Sequence, residues 1–267
     1  MARRLSRPRQ IARDLLVQVG ARTPAEIDPI ETAKELGIEV TFGHLSGATA
    51  RIYRIGSKAR IRVSNKIVTV GRRHRAIMHE VGHYVLGHEL PEEGDLMSWF
   101  HMSCKRRDKQ EERDADIVAV EHLLPEPMVR PYCATTPIDL DAVKPIERTF
   151  RTSPVMSAIR FVELCPHACA VVYSNHGRVV WMKPSRTFPS YLAKHAEVNA
   201  SSLAGGFFAS GTLSDAPRPL FASSWFPEST KIAPSAELIE HAAVVPEPGW
   251  GGVLSMLWLP EASRANA

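Results

Sequence analysis

The sequence predicts an α+β fold in which a small sheet is followed by two long helices and then by a second, sheet-based region. Three observations support this. Apolar residues alternate between positions 38 and 63, helical apolar spacing marks segments that end near Gly87 and Leu124, and prolines become dense from Pro125 onward. We expect an N-terminal domain over residues 1–130, a helix-turn-helix-like segment over 131–166 and a C-terminal domain over 167–267.

The composition is that of an ordinary globular protein. The 267 residues are 44% hydrophobic and 23% charged, with a formal net charge of +4. The sequence has no run of about 18 apolar residues to predict a membrane span, and no apolar stretch of signal-peptide type follows its basic first residues. The four cysteines are too scattered for a disulfide framework. We therefore expect a cytoplasmic protein with no membrane partner.

Two helices are predicted first. Apolar residues recur at helical spacing from Ser6 to Val19. A second helix is expected to begin in the segment Asp28-Pro-Ile-Glu31, with Asp28 as its N-cap and Pro29 at its first position. Gly37 is predicted to end this helix.

Short strands are predicted next. Residues 38–42 alternate in polarity, and residues 51–55 and 60–63 flank a Gly-Ser-Lys turn at position 56, which is typical of a hairpin. Residues 67–70 suggest a further short strand. A long helix should then follow Gly71.

The motif His79-Glu-Val-Gly-His83 lies inside that long helix. Residues four apart share a helix face, so both imidazoles can point at one ion. A catalytic zinc has three protein ligands and a water whose pKa it lowers to about 7. Glu80 can take the proton of that water and pass it to a leaving amine. We expect Zn²⁺ here, with Mn²⁺ as the alternative ion; two histidines on a solvated helix are the competing interpretation.

The second long helix, from about Asp108 to Leu124, offers a third ligand. One of its stripes is acidic at its start and apolar at its far end, as expected of a core-facing side whose carboxylates enter a site. Glu112 is the predicted ligand, and Asp116 is predicted to orient a histidine. The alternative is a solvated run of charge. The stripe consists of Glu112, Ala115, Asp116, Ala119 and Leu123.

These motifs together resemble the ImmA/IrrE family of metallo-endopeptidases. The resemblance covers about residues 10–130, and it rests on the His79–His83 motif, on Glu112-Arg-Asp-Ala-Asp116 and on His122-Leu-Leu-Pro125. It implies a zincin-like fold, with the family's metal-binding glutamate falling on Glu112. Arg75 stands where the family usually has phenylalanine.

The resemblance also implies a function. Members cleave a specific helix-turn-helix repressor and so derepress stress or mobile-element genes. Residues 150–160 resemble the helix-turn-helix-like segment of many members, and a GAF-like sensor domain is implied for the small α/β C-terminal region.

Beyond residue 130 the patterns are weaker. Two short helices are predicted, the first broken or kinked at Pro145. Only Arg160 on the second helix is a candidate to contact DNA bases, which disfavours DNA binding. Strands are expected at residues 170–173, 178–182 and 249–259.

Other polar residues have open interpretations. Cys165-Pro-His-Ala-Cys169 is a weak second metal motif, and buried, inert cysteines are the favoured interpretation. His88 and His101 are candidates to stabilise an oxyanion, although lone histidines seldom have so specific a role.

The leading hypothesis is a zinc-dependent endopeptidase with a protein substrate. The alternative is a non-proteolytic regulatory or DNA-binding protein with a structural metal site. The oligomeric state is left open.

Overall fold

A computed structural model of the protein describes residues 5–93, 108–247 and 250–261. The chain divides into two compact units: the first contains Met1–Met128 and Glu147–Ser153, and the second contains Val129–Ile146 and Pro154–Ala267. The predicted domain boundaries at residues 130 and 166 stay a prediction. Within the described ranges, every helix is too short or too polar to cross a bilayer.

The first unit opens with two helices, α1 (Arg7–Gln18) and α2 (Pro29–Glu35). The Asp28 carboxylate accepts the N–H groups of Ile30 and Glu31, which confirms the predicted N-cap. Gly37, at φ 73°, follows the end of α2 as predicted.

Three strands follow: β1 (Ile38–Gly43), β2 (Ala50–Ile55) and β3 (Lys58–Ser64). The sheet order is β1-β3-β2, with β1 parallel and β2 antiparallel to β3. This confirms the predicted hairpin and makes β2 an edge strand. The expected strand at 67–70 is wrong: the Ile67 carbonyl accepts the Arg73 side chain, and a helix begins at Val70.

The two predicted long helices are α3 (Val70–Leu86) and α4 (Lys109–Leu123). They pack closely where Gly82 meets Ala115, because a Cβ added to Gly82 would lie 2.8 Å from the Ala115 carbonyl oxygen. The apolar end of the predicted α4 stripe is fully buried. The glycine therefore brings the two motif-bearing helices together.

Three short helices connect this region to the C-terminal sheet: α5 (Glu126–Val129), α6 (Lys144–Phe150) and α7 (Pro154–Leu164). Near Pro145 the helix changes type as the predicted break suggests: a 3₁₀ turn over Asp141–Val143 gives way to α6 at Lys144. Pro145 thus lies in the first turn of α6, where a missing N–H removes no helical hydrogen bond.

The second unit contains a five-stranded antiparallel sheet of order β5-β4-β8-β7-β6. A helix, α8 (Leu203–Ser210), precedes β6. The strands predicted near residues 170, 178 and 250 are confirmed. The strands are β4 (Cys169–Asn175), β5 (Arg178–Pro184), β6 (Arg218–Phe221), β7 (Glu237–Glu247) and β8 (Trp250–Trp258).

Glu240 on β7 is a fully buried carboxylate. It accepts the N–H groups of Leu203 and Ala204 at the start of α8, the indole N–H of Trp225 and the hydroxyl of Ser255. Burial raises the pKa of Glu240 despite these donors. The carboxylate therefore joins α8 to the sheet as part of the core.

Candidate metal centre

His79, His83 and Glu112, here called the triad, bring three potential ligand atoms together. The Nε2 atoms of His79 and His83 are 3.1 Å apart, and the Glu112 oxygens lie 3.2 Å from His79 Nε2 and 3.4 Å from His83 Nε2. Ligand atoms of a tetrahedral zinc, at bond lengths near 2.0–2.1 Å, are about 3.3 Å apart. The spacing and the two-imidazole, one-carboxylate donor set therefore fit zinc.

The local sequence explains this convergence. His79 and His83 are one helical turn apart on α3, and Glu112 lies in the first turn of α4. The close contact between Gly82 and Ala115 lets the two helices approach near the triad.

Asp116 lies behind His79, the first histidine of the triad. Its Oδ1 is 2.9 Å from His79 Nδ1 and accepts Arg75 Nη2 at 2.9 Å. Burial would raise the pKa of Asp116, but the bonds to His79 and Arg75 lower it below its usual value. Asp116 thus accepts the Nδ1–H of His79, which leaves His79 Nε2 directed at Glu112 and His83.

The surroundings of His79 favour positive charge. Burial alone would lower its pKa, but Asp116, Glu80 and Glu112 together raise it. The same negative charges that favour a proton on His79 would also favour a cation at the triad.

Glu80 is buried between α3 and the edge strand, where its Oε2 accepts the Ile52 N–H at 3.0 Å. This bond holds the carboxylate beside β2. After the hydrogen bond with Asp116, the charge of Glu80 also contributes to the raised pKa of His79. The sequence predicted Glu80 at the site, but the hydrogen bond to β2 depends on tertiary packing.

His88 lies against His83, with its Nδ1 2.8 Å from His83 Nδ1. That is the side of the His83 ring away from Nε2, and the suggested role of His88 at an oxyanion stays a prediction. His101 lies outside the described residues.

A second polar cluster, Asp139, Asp141 and His241, also has ligand atoms within 4.8 Å of one another. Here one atom of each side chain already has a partner within the chain. Asp139 accepts the Ala142 N–H, His241 Nδ1 accepts the Leu140 N–H, and Asp141 pairs with Lys144. These contacts stabilise the turn at residues 139–144.

The cysteine motif is buried. Cys165 and Cys169 are free thiols, and the hydrogen bond between them lowers the pKa of Cys165 and raises that of Cys169. Among the residues that the structure describes, neither cysteine belongs to a cluster with metal-ligand spacing.

A family comparison covers the part of the chain that contains α3 and α4. Residues 33–161 match the IrrE N-terminal-like domain, Peptidase_M78. The match, which spans just under half of the chain, supports an ImmA/IrrE family metallopeptidase. Among curated proteins, none matches the chain significantly.

A solved structure shares the fold. It is a Mycobacterium tuberculosis transcriptional regulator, 12% identical, with a TM-score of 0.60, and the match covers 95% of this chain and 77% of that one. At this identity the likeness concerns the fold alone.

Proposed function

We propose that the protein is a zinc-dependent endopeptidase that cleaves a protein substrate. The observation that carries the proposal is the triad: two imidazole nitrogens 3.1 Å apart, each with an oxygen of the Glu112 carboxylate within 3.4 Å, and Glu80 directly after His79 in the chain. Membership of a metallopeptidase family supports the same chemistry.

Each residue has a distinct proposed role. His79, His83 and Glu112 hold the ion, and Asp116 orients the His79 ring. Zn²⁺, or Mn²⁺ in its place, would polarise the substrate carbonyl and acidify a water when bound. Glu80 accepts the proton of the attacking water and delivers it to the leaving amine, while the Ile52 N–H holds its carboxylate in place.

We further propose that the substrate is a helix-turn-helix repressor and that cleavage derepresses stress or mobile-element genes. The family match and the fold shared with a transcriptional regulator support a regulatory role. The antiparallel sheet of the second unit is the proposed GAF-like sensor. Three buried free thiols support a reducing, cytoplasmic location.

The DNA-binding alternative has less support. Arg160, the candidate base-contacting residue on α7, is fully buried, and its Nη1 donates to Glu163 at 3.0 Å. A buried guanidinium cannot reach a base edge.

Glu80→Gln tests the proposed function. We expect cleavage of a repressor encoded beside the gene to fall by about 10²–10⁴-fold, because Gln cannot accept the proton. Zinc content should stay unchanged, since Glu80 is not a proposed ligand. The exposed Glu89→Gln is the matched control and should cleave normally. Normal cleavage by the Glu80→Gln variant would exclude the mechanism.

A further inference from the structure

His83 has a different hydrogen-bonding partner from His79. His79 Nδ1 faces the Asp116 carboxylate, whereas His83 Nδ1 faces the imidazole of His88. His83 is also the more buried of the two, with a side chain 1% exposed against 18% for His79. The Nδ1–H of a buried ligand histidine needs an acceptor, and His88 Nδ1 lies within hydrogen-bond distance.

The end of α3 places His88 at this position. Gly87 adopts φ 76°, and the His88 N–H then donates to the His83 carbonyl at 3.0 Å, the bond typical of a Schellman cap. His88 is therefore joined to His83 twice, through its backbone and through its ring. The helix cap, which needs Gly87, fixes the side chain against the His83 ring.

The protons on this pair follow from the donor and acceptor inventory. Two ring nitrogens 2.8 Å apart share one proton. When His83 Nε2 faces a metal it carries no proton, so the proton is on His83 Nδ1 and is donated to His88 Nδ1. His88 Nδ1 is then the acceptor, and it lies on the side of the ring opposite the triad.

We propose that His88 is a positioning residue for the metal centre, which acts through His83 by fixing the orientation of that ring and the tautomer that exposes Nε2. The proposal rests on the proposed zinc site and adds a residue outside its ligand set. A neutral imidazole takes the place behind His83 that the Asp116 carboxylate takes behind His79. The two ligand histidines are thus held by acceptors of different charge.

The test measures Zn²⁺ affinity of the full chain by chelator competition, together with the visible spectrum of the Co²⁺-substituted protein. His88→Leu removes the acceptor and should weaken Zn²⁺ binding by about 10–100-fold, with a changed Co²⁺ spectrum. His88→Asn places an amide oxygen near the position of Nδ1, so affinity and spectrum should return close to those of the unmodified protein. The exposed His44→Ala serves as the matched control.

The outcomes are distinguishable. If the unmodified protein binds no Zn²⁺, the proposed function itself fails. If it binds Zn²⁺ and His88→Leu binds equally well with the same Co²⁺ spectrum, the role of His88 is overturned while the zinc site stands. If His88→Asn is as weak as His88→Leu although both variants unfold at the same temperature as the unmodified apoprotein, His88 does not act as an acceptor.

Discussion

The triad of the first unit and the Asp139–Asp141–His241 cluster of the second are built from the same kinds of side chain, but their polar atoms are used differently. The triad directs two imidazole nitrogens and a carboxylate at one another. In the second cluster, one atom of each side chain is already paired with a backbone N–H group or with Lys144. Proximity of ligand-type residues is therefore not enough for a metal site, because their ligand atoms must also face one another.

The largest expected effect separates the two clusters directly. Glu112→Ala removes one of the three proposed ligands, so Zn²⁺ affinity should fall by more than the factor of about 10–100 expected when a ligand loses its hydrogen-bonded partner. Asp139→Ala, the matched change in the other cluster, should leave Zn²⁺ affinity and stoichiometry unchanged. Metal analysis and chelator competition measure both. Equal losses of Zn²⁺ affinity in the two variants would contradict the distinction between the triad and the second cluster.

Glu240 extends the comparison to a carboxylate used for structure. Glu240→Gln places an amide N–H among four donors, so the free energy of unfolding of the second unit should fall by about 2–4 kcal/mol. Backbone hydrogen exchange of the full chain measures this. The exposed Glu237→Gln on the same strand should change it by less than about 0.5 kcal/mol.

The raised pKa of Glu240 adds a pH dependence. A carboxyl whose pKa is raised on folding contributes stability that is present below its ordinary pKa and is lost as pH rises through the folded value. That loss should vanish in Glu240→Gln. If the variant kept the same pH dependence, Glu240 would not be its source.

His122 predicts the opposite pH response in the first unit. It is fully buried, its Nε2 contacts the Thr32 hydroxyl, and among the described residues its Nδ1 has no hydrogen-bond partner. Burial lowers its pKa from 6.5 to about 4. The unfolded chain therefore binds the proton first, and stability falls as pH drops from 6.5 to 4, by about 3 kcal/mol at most. Hydrogen exchange with EDTA present should show this fall, and His122→Gln should remove it.

The smallest expected effect concerns Arg75. The ion pair between Arg75 and Asp116 is about half exposed, with side chains 52% and 44% accessible. Such pairs contribute about 0.2–1 kcal/mol, so Arg75→Ala should weaken Zn²⁺ binding by only a few-fold. Asp116→Ala should weaken it by about 10–100-fold. Chelator competition measures both, and similar losses in the two variants would show that Arg75 is needed to hold Asp116.

Local spacing predicted much of the fold. The Asp28 cap, the β2–β3 hairpin and the long helices follow from residues close in sequence. The sequence did not predict that β1 pairs with β3 in parallel, or that Ile67 bonds to Arg73 instead of joining a strand. Both depend on contacts that the spacing of apolar residues along the sequence does not predict.

The same distinction applies to the site. The sequence by itself determined that His79 and His83 share a helix face and that Glu112 and Asp116 share a stripe, because helix geometry relates residues three and four apart. Only the tertiary structure brought the two helices together at Gly82 and buried the candidate base-reading arginine. It also decided which nitrogen of His83 meets His88, because that contact depends on the left-handed turn after α3 and on the orientation of two rings. Hydrogen bonds between side chains require a distance and a direction, and sequence spacing supplies these only within one regular element.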